Sequence, residues 1–205
     1  DNYKRLFTET KFLQWYGNTL LIAVCSCIIT ALFVLSVAYV FNRMKFKARK
    51  PMMNIMLILG MFPGFMSMSA VYFLLKILLP DNYQSHLSLI IVYSAGAALS
   101  YYIAKGFFDT VPKSLDEAAR IDGAKEFYIY WKIAMPLVKP AWLTLIIYSF
   151  QGLWNAGSSI YIHSEQLKSF NYAIGQIMAG GIKRAGASAA STVIMMLVPI
   201  MVFVI

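Results

Sequence analysis

Few side chains in this chain are able to make or break bonds. Cys25 and Cys27 stand two apart in AVCSCII, and His86 and His163 are the only histidines. A C-x-C pair can be redox-active or bind metal, but it needs a second pair or an adjacent histidine. Neither is present, so small side chains packed on an apolar helix are the simpler reading. There is no HExxH, no GxxxxGK[ST] to cradle phosphates, and no carboxylate inside any apolar run. These absences argue against an enzyme and place any ATP and Mg outside this chain. They also argue against an ion-coupled secondary carrier, which holds an ionisable group at mid-membrane. The dense chemistry lies in residues 105–139. Lys105, Lys113, Arg120, Lys125, Lys132 and Lys139 share that stretch with Asp109, Asp116, Glu117, Asp122 and Glu126. Their chemistry is recognition, through ion pairs and charge-assisted hydrogen bonds.

Local signals within KSLDEAARIDGAKEFYIYWKIAMPLVKP agree with one another. Pro112 precedes Ser114, and Ser114 with Glu117 fits a capping box. Asp116 and Glu117 suit the first helical turn, and Asp116 and Arg120 are spaced to pair at i, i+4. Leu115, Ala118, Ala119 and Asp122 fall on one face, and Gly123 supplies a left-handed stop. A second helix is expected from about Ala124 to just before Pro136, with Phe127, Trp131, Ala134 and Met135 on an apolar side. The pattern is helix, glycine turn, helix. Small residues beside acids suit close approach by another protein. An internal hairpin covering the base of a helical bundle fits the periodicity as well.

The elements that position this hairpin are apolar. Of 205 residues 60% are hydrophobic and 13% charged, and mean hydropathy is +0.64. Soluble domains carry about 25% charged residues. Residues 12–42, 51–75, 82–104, 140–164 and 185–205 contain no Asp, Glu, Lys or Arg. Each is long enough to cross a ~30 Å hydrocarbon core as a helix. None alternates as a barrel strand would. The reading is all-α, a polytopic transmembrane helical bundle with five spans, forming a single membrane domain over residues 1–205. Ionised side chains cost roughly 2.5–3.5 kcal/mol each at a membrane centre, so the charged hairpin stays in water.

NRMKFKARK and residues 105–139 hold most of the lysine and arginine, which places the first and third connections in the cytoplasm and the amino terminus outside. The net charge of +9 flanks apolar runs instead of forming a stripe, which points to lipid headgroups and not to nucleic acid. GMFPGF, residues 60–65, predicts a kink or break at Pro63 that either lines a path or serves packing. Asp1 is not a methionine, and the chain ends at Ile205 within an apolar run, so a fragment of a longer subunit is expected.

EAARIDGA at residues 117–124, followed at fixed distance by IAMP at 133–136, resembles the EAA motif of ABC importer permeases. Met135 stands where the motif has leucine. NTL at 18–20, AYVFNRMKF at 38–46, MFP at 61–63 and the small residues before the last span are similar to the carbohydrate branch of type I importers, in particular the shorter maltose-type permease. That family has six helices, which implies one more helix before residue 1.

The resemblance implies a multi-pass permease subunit of a prokaryotic cell membrane that imports a sugar or oligosaccharide. The cargo could alternatively be an amino acid, peptide or phosphate. Its implied partners are a second homologous permease, two cytoplasmic ABC ATPase subunits that bind ATP and Mg, and an extracytoplasmic sugar-binding protein. Residues 109–139 are the implied cytoplasmic coupling-helix loop. Ser114, Glu117, Ala118, Ala119, Asp122, Gly123, Ala124 and Pro136 are its docking residues. Met61, Phe62, Pro63, Tyr102, Trp154, Asn155 and Ser158 are candidates for the substrate path, and Gly180, Gly181, Lys183 and Arg184 for contact with the binding protein.

Overall fold

A backbone in lipid must satisfy its own hydrogen bonds, and this greasy chain does so with helices. The computed structural model describes residues 2–61, 64–95, 98–157, 164–178 and 185–204, among which no strand occurs. In chain order the helices are α1 (Asn2–Glu9), α2 (Phe12–Arg43), α3 (Arg49–Met61), α4 (Gly64–Leu78), α5 (His86–Ala95), α6 (Ala98–Thr110) and α7 (Lys113–Ile121). They continue as α8 (Glu126–Leu137), α9 (Lys139–Trp154), α10 (Phe170–Met178) and α11 (Ala185–Val204). Among the described residues, Phe12–Arg43 and Gly186–Val204 are each long and apolar enough to cross a bilayer, and two bent helix pairs pass the same test together. Among the described residues, the other three apolar runs carry the shorter helices α3 to α6 and α9. The expected kink at Pro63 lies outside the described residues.

The chain divides into two compact units. One comprises Asp1–Cys27, Gly64–Ser94 and Ser149–Ile205; the other comprises Ile28–Pro63 and Ala95–Tyr148.

In the second unit, Ala31, Leu35 and Ala38 of α2, Ala104 and Phe108 of α6, and Ala134, Ala141 and Leu145 of α8 and α9 form one buried core. Spacings of three and four residues put each set on one stripe of its helix. Alanine lets backbones approach closely where lipid offers no hydrophobic drive to associate. Tyr39 fills the remaining space, meeting the rings of Phe108 at 5.9 Å and Tyr130 at 5.0 Å, both edge-on.

In the first unit α1 rests on the start of α11, with Leu6 buried. A Cβ at Gly186 would stand 2.6 Å from the Asn2 side-chain amide, so a larger residue there would displace that exposed side chain. Phe12, Tyr16, Trp154 and Phe170 form an aromatic cluster with centroids 5.3 to 6.4 Å apart. The segment before α10 is tied to α2. Asn18 Nδ2 donates to the carbonyls of Gln166 (2.8 Å) and Lys168 (3.1 Å), and the Phe170 amide donates to Thr19 Oγ1 (2.8 Å).

Candidate functional site

The hairpin predicted after the third apolar run is present, but it starts by another device. Helix α7 begins at Lys113, with Pro112 at its N-cap (φ −58°, ψ 130°) and no side-chain cap. Pro112 has no N–H to satisfy, and its carbonyl accepts the Leu115 amide at 3.3 Å. Ser114 therefore sits inside the first turn, and its expected capping box with Glu117 is not formed. The end of the helix matches the expectation. Gly123 has φ +82°. The Gly123 amide donates to Arg120 O at 3.0 Å and the Ala124 amide to Ala119 O at 2.9 Å. This is a Schellman closure, and it needs the left-handed residue that glycine supplies without strain.

The expected Asp116–Arg120 pair is replaced by two others. Asp116 and Ala119 form the buried face of α7. A carboxylate pointed inward there requires a partner. It finds Arg43, the last residue of α2, with Nε 2.8 Å from Oδ2 and side chains 2% and 1% exposed. Arg43 Nη2 also donates to Val111 O at 3.0 Å, fixing the turn before α7. Beside it, Asn42 Nδ2 donates to Asp109, which pairs with Lys105 at 2.6 Å. Arg120 instead reaches across the glycine turn to Glu126 at 2.6 Å, and Tyr39 Oη donates to the same carboxylate at 3.2 Å. The hydrogen bond from Arg120 holds the Glu126 carboxyl below the usual carboxylate range. That pair is present at neutral pH and is lost only as pH falls through this depressed value.

The second helix does not end before Pro136. It runs Glu126–Leu137 and takes a π-helical turn at Ile129–Ala134. The widened turn makes room for the Pro136 ring, which would crowd the carbonyl of Lys132 in a regular helix. The chain then bends by 79° into α9. Val138 lies at the bend, fully packed, and Trp142 Nε1 caps the end of α8 by donating to Met135 O at 3.2 Å. The expected apolar side of α8 is divided. Ile129, Tyr130 and Ala134 are buried, whereas Phe127 and Trp131 face out with their rings 6.3 Å apart. The π turn shifts the register, which a constant 3.6-residue period does not anticipate.

Of the docking candidates, Ser114, Glu117, Ala118, Asp122, Gly123 and Pro136 are exposed, Ala124 is half-buried and Ala119 is buried. The outward surface of the hairpin also presents large apolar side chains. Ile121 is 87% and Phe127 75% exposed, with Leu115 and Tyr128 exposed too. Sequence reading missed the residues that hold the hairpin from behind: Tyr39, Asn42, Arg43 and Asp109. The available signal was the spacing of Asp116 and Ala119, which sets an acid on the apolar face of α7 and so demands a buried cation.

The path candidates scatter. Phe62, Pro63 and Ser158, and likewise Gly180, Gly181, Lys183 and Arg184, lie outside the described residues. Met61 is exposed, and Tyr102 Oη donates to Met53 O at 2.7 Å. Asn155 is exposed, with its Nδ2 on Gln151 O at 2.9 Å. Trp154 is only 1% exposed. Its Nε1 donates to Met195 O at 3.1 Å, which is the carbonyl that Pro199, lacking an N–H, leaves without its i+4 donor. Trp154 therefore repairs a proline gap in α11. Trp154→Phe is expected to cost about 1–3 kcal/mol by leaving that carbonyl unpaired. Adding Pro199→Ala supplies the missing amide and is expected to recover most of the loss. Thermal unfolding of the two purified variants in detergent measures both effects.

Comparison with known proteins places this geometry in a family. Residues 28–205 match the model of the binding-protein-dependent transport system inner membrane component. The maltodextrin transport system permease protein MalD of Streptococcus pneumoniae is 36% identical over 152 residues, covering 74% of this chain and 54% of that protein. MdxG, a maltodextrin transport system permease protein of Bacillus subtilis, is 37% identical over 154 residues, covering 75% and 53%. The galactooligosaccharides transport system permease protein GanQ of Bacillus subtilis is 36% identical over 156 residues, covering 74% and 54%. The chain thus spans about half the length of the curated relatives it matches. In fold it is similar to a bacterial ABC transporter involved in the import of the acidic polysaccharide alginate, with TM-score 0.83 at 21% identity over 98% of this chain and 75% of that one. The MetNI methionine ABC transporter in an inward-facing form gives TM-score 0.73 at 15% identity, covering 93% and 90%. With the family model matched from the middle of α2 onward, this chain belongs to the inner-membrane components of binding-protein-dependent transport systems.

Proposed function

We propose that the chain is a permease subunit of an ABC importer for a sugar or oligosaccharide, and that residues 109–139 are its coupling loop. The observation that carries this reading is the hairpin itself. It exposes Ile121 and Phe127 around a glycine turn while the Arg43–Asp116 pair fixes it from behind. Exposed apolar side chains on a charged, water-facing segment are costly unless a partner covers them. A cytoplasmic ATPase subunit is the partner that such a loop serves, with Glu117 as the salt-bridge partner of an arginine on it. A second permease, two ATPase subunits that hold ATP and Mg, and an extracytoplasmic sugar-binding protein complete the assembly. Gly180, Gly181, Lys183 and Arg184 are the residues proposed to contact the binding protein. Sugar as cargo is supported by the names of the relatives, which are maltodextrin and galactooligosaccharide permeases.

Closure of the ATPase dimer on ATP moves the docked hairpin as a body. The spans then switch between inward- and outward-facing arrangements. ATP biases that switch only through contacts that differ between the two states, and the docked hairpin supplies them. Single cysteines at positions 115, 121 and 127, in a Cys25→Ser/Cys27→Ser background, test the docking. Bifunctional cross-linkers are expected to join each to an ATPase subunit in native membranes, with a yield that changes when ATP is added. Capture of no ATPase at any of the three positions overturns the proposal.

A further inference from the structure

Within the second unit, the connection between α2 and α3 gathers cations that the chain does not neutralise. Lys45, Lys47, Arg49 and Lys50 crowd into MKFKARK, residues 44–50, and no Asp or Glu occurs between Glu9 and Asp81. Lys45, Lys47 and Lys50 are exposed and Arg49 is half-buried. Three other basic residues of this unit have protein partners: Arg43 has Asp116, Lys105 has Asp109 and Arg120 has Glu126. Among the described residues none of the four in the connection forms an ion pair. Two of them also stand where a helix disfavours them. Arg49 and Lys50 open α3, which has no acid in its first turn. The N-terminus of a helix carries partial positive charge, so cations there are unfavourable until an anion sits among them. The connection therefore calls for an anion from outside the chain.

The surroundings indicate which anion. Met44 and Phe46 alternate with the lysines, each 37% exposed, and the Phe46 ring meets Phe41 of α2 edge-on at 5.3 Å. Helix α3, which follows, leaves Ile55, Ile58 and Leu59 bare, 54% to 64% exposed. Cations interleaved with apolar side chains, between a long apolar helix and a second one with a bare apolar face, match the boundary of a bilayer. Lysine and arginine stand there at the level of the phosphates while the apolar side chains reach the acyl region. A free phosphate would answer the charge and leave Met44 and Phe46 in water. We propose that residues 44–50 bind the headgroup of an anionic phospholipid, with Lys45, Lys47, Arg49 and Lys50 around its phosphate and Met44 and Phe46 against its chains. The segment directly follows Arg43, so the bound lipid holds the end of α2 from which the hairpin is tied. The proposal does not depend on the cargo.

The protein, purified with its associated subunits and reconstituted in phosphatidylcholine vesicles, tests it. A bimane is placed on Ala48→Cys in the Cys25→Ser/Cys27→Ser background, with the unsubstituted background as blank. The vesicles carry increasing amounts of phosphatidylglycerol or phosphatidylcholine brominated near the headgroup end of the acyl chains. Half-maximal quenching is expected at a mole fraction of brominated phosphatidylglycerol about tenfold lower than of brominated phosphatidylcholine, since one cation at the surface is worth about fivefold in occupancy. Raising KCl from about 0.05 M to about 0.5 M is expected to shrink that preference several-fold, because it shortens the reach of exposed charges. Lys45→Gln/Lys47→Gln/Lys50→Gln is expected to abolish the preference, and Lys45→Arg/Lys47→Arg/Lys50→Arg to keep it. The KCl series leaves all four cations in place and decides the case if the glutamine variant fails to insert. Equal quenching by the two lipids, or a preference that neither KCl nor the glutamines change, overturns the site. A preference abolished by millimolar inorganic phosphate at constant ionic strength assigns the cations to free phosphate and overturns the lipid. Cross-linking of position 48 to a partner subunit, with no quenching by either lipid, assigns them to an acidic protein surface and overturns it too.

Discussion

Asp116→Ala is expected to release the hairpin and abolish coupled transport, with little change in the amount of protein inserted in the membrane. The substitution leaves the Arg43 guanidinium, 2% exposed, beside an empty site. Removing one partner of a buried ion pair costs about 3–5 kcal/mol, because the remaining charge is neither paired nor solvated. One bond to Val111 O remains to Arg43, which keeps the end of α2 in place but no longer ties α7 to it. Local opening of residues 113–124 then becomes common. Amide hydrogen exchange over that segment is expected to rise by two orders of magnitude or more, the factor that about 3 kcal/mol corresponds to. The double variant Arg43→Met/Asp116→Leu removes both charges and is expected to restore much of the protection, since apolar replacement of a whole buried pair is often neutral. If Asp116→Ala exchanges at the wild-type rate, the buried pair does not hold the hairpin.

Gly123→Val is expected to be as damaging to transport by a different route. A Cβ at position 123 meets nothing within 4 Å, so the cost is not a collision with neighbours. It comes from the backbone. At φ +82° an L-residue pays about 1–2 kcal/mol, and a β-branched one more, because Cβ crowds the carbonyl that follows. The chain relieves this by unwinding the closure made by the Gly123 and Ala124 amides. The path from α7 to α8 then changes, and Ile121 and Phe127 no longer share one arrangement. Asparagine visits the left-handed region at lower cost, so Gly123→Asn is expected to keep most of the uptake that Gly123→Val loses. Sugar uptake and sugar-stimulated ATP hydrolysis in the reconstituted complex measure the contrast. Equal activity in the two variants would show that the left-handed turn does not matter to coupling.

The helical class, the charged hairpin and its glycine turn were legible because they rest on local physics. A charge-free run of more than twenty residues can lie in lipid only as helix, and a glycine after AARID marks a stop wherever the chain folds. The start of α7 was misread, since serine and proline both open helices and the sequence does not say which one the backbone uses. Asp116 was given to Arg120, the nearest cation in sequence. Its partner, Arg43, is 73 positions away, and Arg43 itself was read as a mark of topology because basic residues at the end of a span usually are.

Residue types and short-range spacing alone determined that this chain crosses a membrane, that one charged segment folds as a hairpin of two helices, and that the hairpin turns at Gly123. Each of these follows from a cost paid residue by residue, in transfer from water or in backbone strain. Tertiary structure decided which acid faces inward to Arg43, that Trp154 serves the carbonyl freed by Pro199, and that a π turn points Phe127 and Trp131 outward. The first two depend on which helices come to lie side by side, and the third on how the helix accommodates the Pro136 ring. Partners so distant in sequence have no shared periodicity to reveal them.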